Sequence, residues 1–290
     1  MNLFKLTVFF VLFLLAGMSA EAQDSEYNLD ETYQIDANGT VYLNSNDAEV
    51  TIEAGDRSDV HLVVYHNVDV DGWELKSAEE FKMDVENRGG DLHIKEADRN
   101  GARVLFGNVD EEYRIRLEVP RSVALNIQGD DDSYDISDVG AALRIDADDS
   151  DIEIDGATGD SFEFDLDDGS INMEQGQGEL KLSMDDGEFY VRKADFNEID
   201  ADFDDGEIDI TTSLSDQGFY LFDMDDGDIE LNIAGGGGEF DISHDDPNVN
   251  VGSNFEVIRE DEDRSVYRLP GGDAKIEIDT DDGDIELRTI

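Results

Sequence analysis

The chain has 290 residues with 76 acidic and 20 basic side chains, a net charge of −56, and no cysteine. That charge excludes nucleic acid and anionic lipid headgroups as partners and favours cations. The missing cysteine excludes disulfides, thiol catalysis and thiolate metal sites. Acidic disorder is not expected either, because 39% of residues are hydrophobic and they alternate with the charges.

The first segment reads as a secretory signal. Lys5 gives a positive start, Val8 to Ala16 is an apolar run too short to span a bilayer well, and Ala20-Glu21-Ala22 fits a small-x-small cleavage site. A mature chain starting at Gln23 is expected, exported to the periplasm, cell surface or outside, with no membrane insertion after cleavage.

From residue 23 to 120 a loose β-repeat is expected. Taking each tight turn as position zero, Asp47 has Val41 and Leu43 six and four residues before it and Val50 and Ile52 three and five after. The same phase is read around Gly89 (Met83, Val85, Leu92, Ile94) and Asp110 (Val104, Phe106, Tyr113, Ile115), and just past this region around Asp131 (Leu125, Ile127, Tyr134, Ile136). Trp73 to Phe81 interrupts it and is expected to hold the one short helix. One architecture, degenerate at its start, is read rather than two unrelated domains.

From 121 to 290 the repeat is regular. Asp-Asp pairs end at Asp149, Asp168, Asp186, Asp205, Asp226, Asp246 and Asp282, with a degenerate corner expected at Asp263. Glycine follows the pair at 169, 187, 206, 227 and 283. Apolar residues hold four positions in phase: Leu143, Phe162, Leu180, Ile199 and Tyr220 six before zero, Ile145, Phe164, Leu182, Ala201 and Phe222 four before, Ile152, Ile171, Phe189, Ile208 and Ile229 three after, and Ile154, Met173, Val191, Ile210 and Leu231 five after. Each unit is therefore an alternating strand, a tight turn and a second alternating strand. Two arrangements fit: an all-β single-stranded β-solenoid with about 19 residues per coil, where equal positions stack at the ~4.8 Å strand spacing, or a series of antiparallel hairpins joined by Asp-Gly turns. Preserved residue class at each position favours the solenoid.

The stretch Tyr113-Arg-Ile-Arg-Leu-Glu-Val-Pro120, followed by strand-Asp-Gly-strand units ending in Asp284-Ile-Glu-Leu287, resembles the bacterial "putative adhesin" family of β-strand-repeat proteins, a domain of unknown function with Gly-Asp-Ile-x-Ile strands. The resemblance covers about residues 30–290 and implies a β-solenoid-like fold, but no catalytic residues. Asp-Asp-Gly stands where Ser-Gly-Asp is usual.

In a stacked coil the acidic pairs form ladders: Asp148 and Asp149, Asp167 and Asp168, Asp185 and Asp186, Asp204 and Asp205, Asp225 and Asp226, Asp281 and Asp282. Two unit charges 4 Å apart repel by about 1 kcal/mol in water. Calcium, a hard cation taking oxygen ligands, is one answer, although the pattern matches neither an EF-hand nor the glycine-rich nonapeptide. Solvated turn carboxylates screened by salt are the other. The second suits a high-salt habit, with lysine confined to Lys5, Lys76, Lys82, Lys95, Lys181, Lys193 and Lys275.

His61, His66, His93 and His244 share no metal-ligand spacing, and His61 and His66 lie on opposite faces of a strand. There is no Gly-x-Ser-x-Gly elbow. Gly235 to Gly238 reads as a flexible corner, and Tyr190 and Tyr220 as core or outward-facing. The expected function is an exported, non-catalytic, adhesin-like scaffold needing no cofactor, with a protein or glycan partner at a surface. The alternatives are a Ca²⁺-binding acidic module and a polysaccharide-active β-helix enzyme using paired acids.

Overall fold

A computed structural model describes residues 25–74, 81–97, 104–244 and 248–290, which form strands and no helix. The signal segment, residues 75–80 of the expected helix and the Asp245-Asp246 pair lie outside the described residues. Trp73 and Glu74, where that helix was to begin, end a strand instead.

The N-terminal strands are β1 (Ser25–Gln34), β2 (Thr40–Asn44), β3 (Glu49–Gly55), β4 (Asp59–Glu74), β5 (Met83–Arg88), β6 (Asp91–Glu96), β7 (Val104–Pro120), β8 (Ala124–Gln128) and β9 (Ser133–Ser137). They are followed by β10 (Leu143–Asp155), β11 (Ser161–Met173), β12 (Gly176–Ser213), β13 (Phe219–Gly235), β14 (Gly238–His244), β15 (Asn248–Val251), β16 (Glu256–Glu260), β17 (Arg264–Leu269) and β18 (Ala274–Thr289). β10 to β13 and β18 run through the acidic corner without a break, which is why several are long.

Stacking is parallel and in register. Leu143 faces Phe162 and Ile152 faces Ile171, and Phe162 in turn faces Leu180. Ile199 faces Tyr220, and Ile208 faces Ile229. The antiparallel-hairpin alternative is therefore overturned for the regular repeat. Alternation puts one side of each strand inward, so Ile145, Ile171, Phe189, Ile208 and Ile242 are wholly buried. Each such side chain contributes about 1.5–3 kcal/mol on burial.

A fifth apolar column, two before zero, was not anticipated. Ala147, Leu166, Met184, Phe203, Met224 and Thr280 are all buried there, immediately before the exposed Asp pair. It carries the core up to the corner itself.

Chain order and stacking order differ at both ends. β18 lies directly on β13, with Asp226 facing Asp282, and its other edge takes β14 and β15. The last strand is thus an interior layer. Asp263 is not a corner of the stack. It closes the turn between β16 and β17, accepting a hydrogen bond from the His244 backbone N–H, and β17 runs antiparallel on β14 with β16 outside it.

The other end mirrors this. β2 lies between β6 and β8, and β3 between β7 and β9. The phase read around Asp47 and Asp131 holds, with Val50 facing Tyr134. Around Gly89 it does not: Gly89-Gly90 is a hairpin turn, and Leu92 faces Val41, in the column six before zero. Around Asp110 it also fails, since Asp110 lies inside continuous β7, facing Asp69, and Ile115 rather than Tyr113 aligns with Val50. β4 and β1 cover β7, and β5 covers β6, all antiparallel. Antiparallel layers therefore cover β6 and β7 at one end and β14 at the other, shielding those parallel edges from templating aggregation, while β15 pairs with β18 alone.

Candidate functional site

The acidic corner is held by glycine. At Gly206, Gly227 and Gly283 the backbone is left-handed, with φ of 149°, 140° and 127°, a region costly to other residues. The space is closed as well: a Cβ on Gly206 would collide with the Gly187 carbonyl oxygen, and one on Gly227 with that of Gly206. Successive corners thus approach as closely as backbone allows. Gly187 itself lacks the left-handed φ, and its Cβ would approach the Gly169 oxygen to 2.6 Å. In the Gly235 to Gly238 stretch, Gly235 has room for a side chain, whereas Gly236, Gly237 and Gly238 are crowded, with Gly237 against Leu269 and Pro270.

This stacking brings the expected residues together. Asp149 faces Asp168, Asp168 faces Asp186, Asp205 faces Asp226 and Asp226 faces Asp282. Asp148, Asp149, Asp167, Asp168, Asp185, Asp186, Asp204, Asp205, Asp225, Asp226, Asp281 and Asp282 are all exposed. Crowding has an electrostatic signature. Loss of water, then the charges of Asp168 and Asp131, raise the Asp149 carboxyl above its usual range. The same order of causes acts on Asp167, from Asp148 and Asp185, and on Asp205, from Asp186 and Asp226. Among the described residues no three His, Asp or Glu side chains are grouped to hold a metal ion.

One carboxylate departs from the ladder. Asp132, the residue after the Asp131 corner, is 4% exposed. It accepts hydrogen bonds from the Ala48 N–H at 2.6 Å, the Tyr134 hydroxyl at 2.9 Å, the Ser45 hydroxyl at 3.3 Å and the Asp130 N–H at 3.3 Å. Burial raises its carboxyl, and these donors offset part of that rise. Sequence reasoning passed over it. The signal was the run Asp130-Asp131-Asp132, with an acid where the later units put glycine.

The histidines are scattered. His61 contacts Asp30 at 2.8 Å, and His66, on the opposite face of β4, is buried beside Glu111 at 2.6 Å. His93 stacks on Tyr42, and His244 contacts Ser265. Tyr220 is core, its hydroxyl donating to the Phe196 carbonyl and accepting from the Ser215 N–H.

Tyr190 is different. It faces outward between buried Phe189 and Val191, half-buried, and donates to Glu207 at 3.1 Å. Burial and then Glu207 raise its phenol strongly. It lines a groove of about 320 Å³ on the outer face of the second strands, together with Glu153, Asn172, Glu174 and Arg192. Asn172 donates to Glu153 at 3.1 Å, and Lys193 pairs with Glu174 at the rim.

Parallel strands stacked in register, a glycine-lined corner and antiparallel end layers define an all-β repeat protein. The chain belongs to the Toastrack DUF4097 family, whose model matches residues 40–288. Among solved structures, a "putative adhesin" from Parabacteroides distasonis is 11% identical, covering 91% of this chain and 98% of that one, with a TM-score of 0.49. A "putative cell adhesion protein" from Clostridium sporogenes is 12% identical over 91% and 100%, with a TM-score of 0.28. A "putative adhesin" from Bacteroides fragilis is 9% identical over 91% and 97%, with a TM-score of 0.39. No curated protein matches the chain.

Proposed function

We propose that this is an exported, non-catalytic, adhesin-like protein: a β-solenoid of about 19 residues per coil that acts as a rigid scaffold presenting a repeated surface to a protein or glycan partner. The observation that supports it is the register. Equal positions stack coil upon coil, so the corner columns repeat aspartate from layer to layer. A repeated surface suits an extended or multivalent partner, whereas catalysis needs one unique constellation. The test has two arms. Fractionation and N-terminal sequencing are expected to find the protein outside the cytoplasm, starting at Gln23. Beads coated with the purified chain are expected to retain cells or extracellular matrix; no retention above an equally acidic control, or ordinary turnover of a polysaccharide, would overturn the reading.

A second reading rests on the raised Asp149, Asp167 and Asp205 carboxyls. Carboxylates that repel one another gain most from a cation between them, so the ladder is proposed to take up Ca²⁺ and stiffen the corner. Calorimetric titration with CaCl₂ at physiological NaCl decides it. Absence of saturable heat would leave screening by salt as the explanation.

A further inference from the structure

We propose that the outer-face groove centred on Tyr190 is a binding site for a neutral oligosaccharide lying along the stacking direction. The inference rests on reading the chain as an interaction protein, and it gives that reading a ligand class and a site.

Geometry comes first. Glu153, Asn172 and Tyr190 occupy one column on successive coils, about 4.8 Å apart. That repeat is close to the advance of one pyranose in an extended glycan, so equivalent groups can meet successive sugars. The groove volume, about 320 Å³, is that of a small ligand cleft.

Chemistry comes second. The equivalent positions on the neighbouring coils, Asp135, Glu153, Asn172, Asp209 and Glu230, carry Asp, Glu and Asn, so a phenol at 190 answers to no packing demand of the core. Its hydroxyl is tied to Glu207, which fixes the ring. An anchored aromatic ring offers the apolar surface on which the C–H face of a sugar stacks. Beside it, Asn172 supplies both donor and acceptor, and Glu153 accepts, matching hydroxyls that do both. Arg192 projects from the same face two residues on. It feels Glu174 and Asp209 but has no ion pair within 4.0 Å among the described residues, so its donors remain available.

Charge then selects the ligand. Glu153, Glu174 and the neighbouring Asp135 and Asp155 outnumber Arg192 around the groove. A uronate or sulfated sugar would be repelled on approach, and a neutral one would not.

The experiment is calorimetric titration of the full chain with cellohexaose, laminarihexaose, mannohexaose and hexagalacturonate. At least one neutral hexasaccharide is expected to bind saturably. Tyr190→Ala should weaken it at least tenfold, Tyr190→Phe should keep most of the affinity, and Arg192→Ala, at an exposed position, should weaken it several-fold with an unchanged melting curve. Failure of all three neutral sugars overturns the proposal. So does an affinity indifferent to both Tyr190→Ala and Arg192→Ala, or tighter binding of hexagalacturonate. Chromatography of the titrated sugar separates the two readings: a cleaved hexasaccharide would sink the non-catalytic function while leaving the groove in place, and an absence of binding would remove the groove while cell retention still tests the function.

Discussion

Gly283 lies directly over Gly227, although β14 to β17 intervene in the chain, and a side chain on Gly283 would run into the Gly227 carbonyl oxygen. The neighbouring Asp284 N–H donates to the Asp228 carboxylate at 3.1 Å, binding the two layers just beyond the corner. Backbone contact, rather than side-chain packing, sets the spacing at this edge.

Glycine substitutions should therefore rank by conformation. Gly206→Ala meets both a left-handed φ and the Gly187 oxygen, and is expected to cost about 2–4 kcal/mol. Gly187→Ala has no such φ and meets the mobile end of Met184 along with the Gly169 oxygen, so it should cost less. Thermal and urea melts of the two variants give the order, and equal costs would refute this account of the corner.

Removing charge from the corner should act oppositely to removing it from the interior. Asp205→Asn relieves repulsion from Asp186 and Asp226 and is expected to raise the melting temperature at low salt. Asp132→Ala strands the Ala48 N–H and the Tyr134 hydroxyl in a buried site and is expected to cost about 2–4 kcal/mol. Denaturant midpoints of both proteins at low salt test the pair.

Stability should rise as pH falls from 8 toward 5. Asp149, Asp167 and Asp205 have folded carboxyl values raised above the ordinary 3.8, so the folded chain binds more protons than the unfolded one and gains stability as pH drops toward them. His61, raised above 6.5 by Asp30, contributes stability present below 6.5 and lost as pH rises through its folded value. Glu174, lowered by Lys193, works the other way, its contribution fading as pH falls below 4.5. Stability is therefore expected to be higher at pH 5 than at pH 8, and added NaCl should help most at pH 8. A melting temperature that climbs steadily from pH 5 to 8 would contradict this.

Hydrogen exchange should find β18 among the slow strands. Terminal segments usually fray, but β18 has a strand on each edge and buries Ile276, Ile278, Ile285 and Leu287. Its amides are expected to exchange as slowly as those of β13, and much more slowly than those of exposed β16. Ile278→Ala should cost about 2–5 kcal/mol, while Val257→Ala, at a 60% exposed position, should be nearly neutral.

The strands and inward faces of the regular units were legible because alternation and class repeat together from Leu143 to Leu231. The column from Ala147 to Thr280 keeps the same phase, but its mixture of Ala, Leu, Met, Phe and Thr beside the conspicuous Asp pair hides it. Stacking order was not legible. Phase says which residues are equivalent, and says nothing of which copies are neighbours, so the insertion of β18 between β13 and β14 leaves no trace in spacing. Leu92 shows the same limit: two residues of the same kind fit either column, and only the partner Val41 decides. Of the candidate sites, the ladder was plain from Asp-Asp-Gly, whereas the groove needed three dimensions to bring Glu153, Asn172 and Tyr190 side by side.

The interior place of β18 also sets a timetable. β13 and β14 leave the ribosome before the layer that belongs between them. They cannot reach their final neighbours until the 16 residues of β18 have arrived. Closure of this part of the stack therefore waits for a strand four elements later in the chain, and until then the facing edges of β13 and β14 stay unpaired.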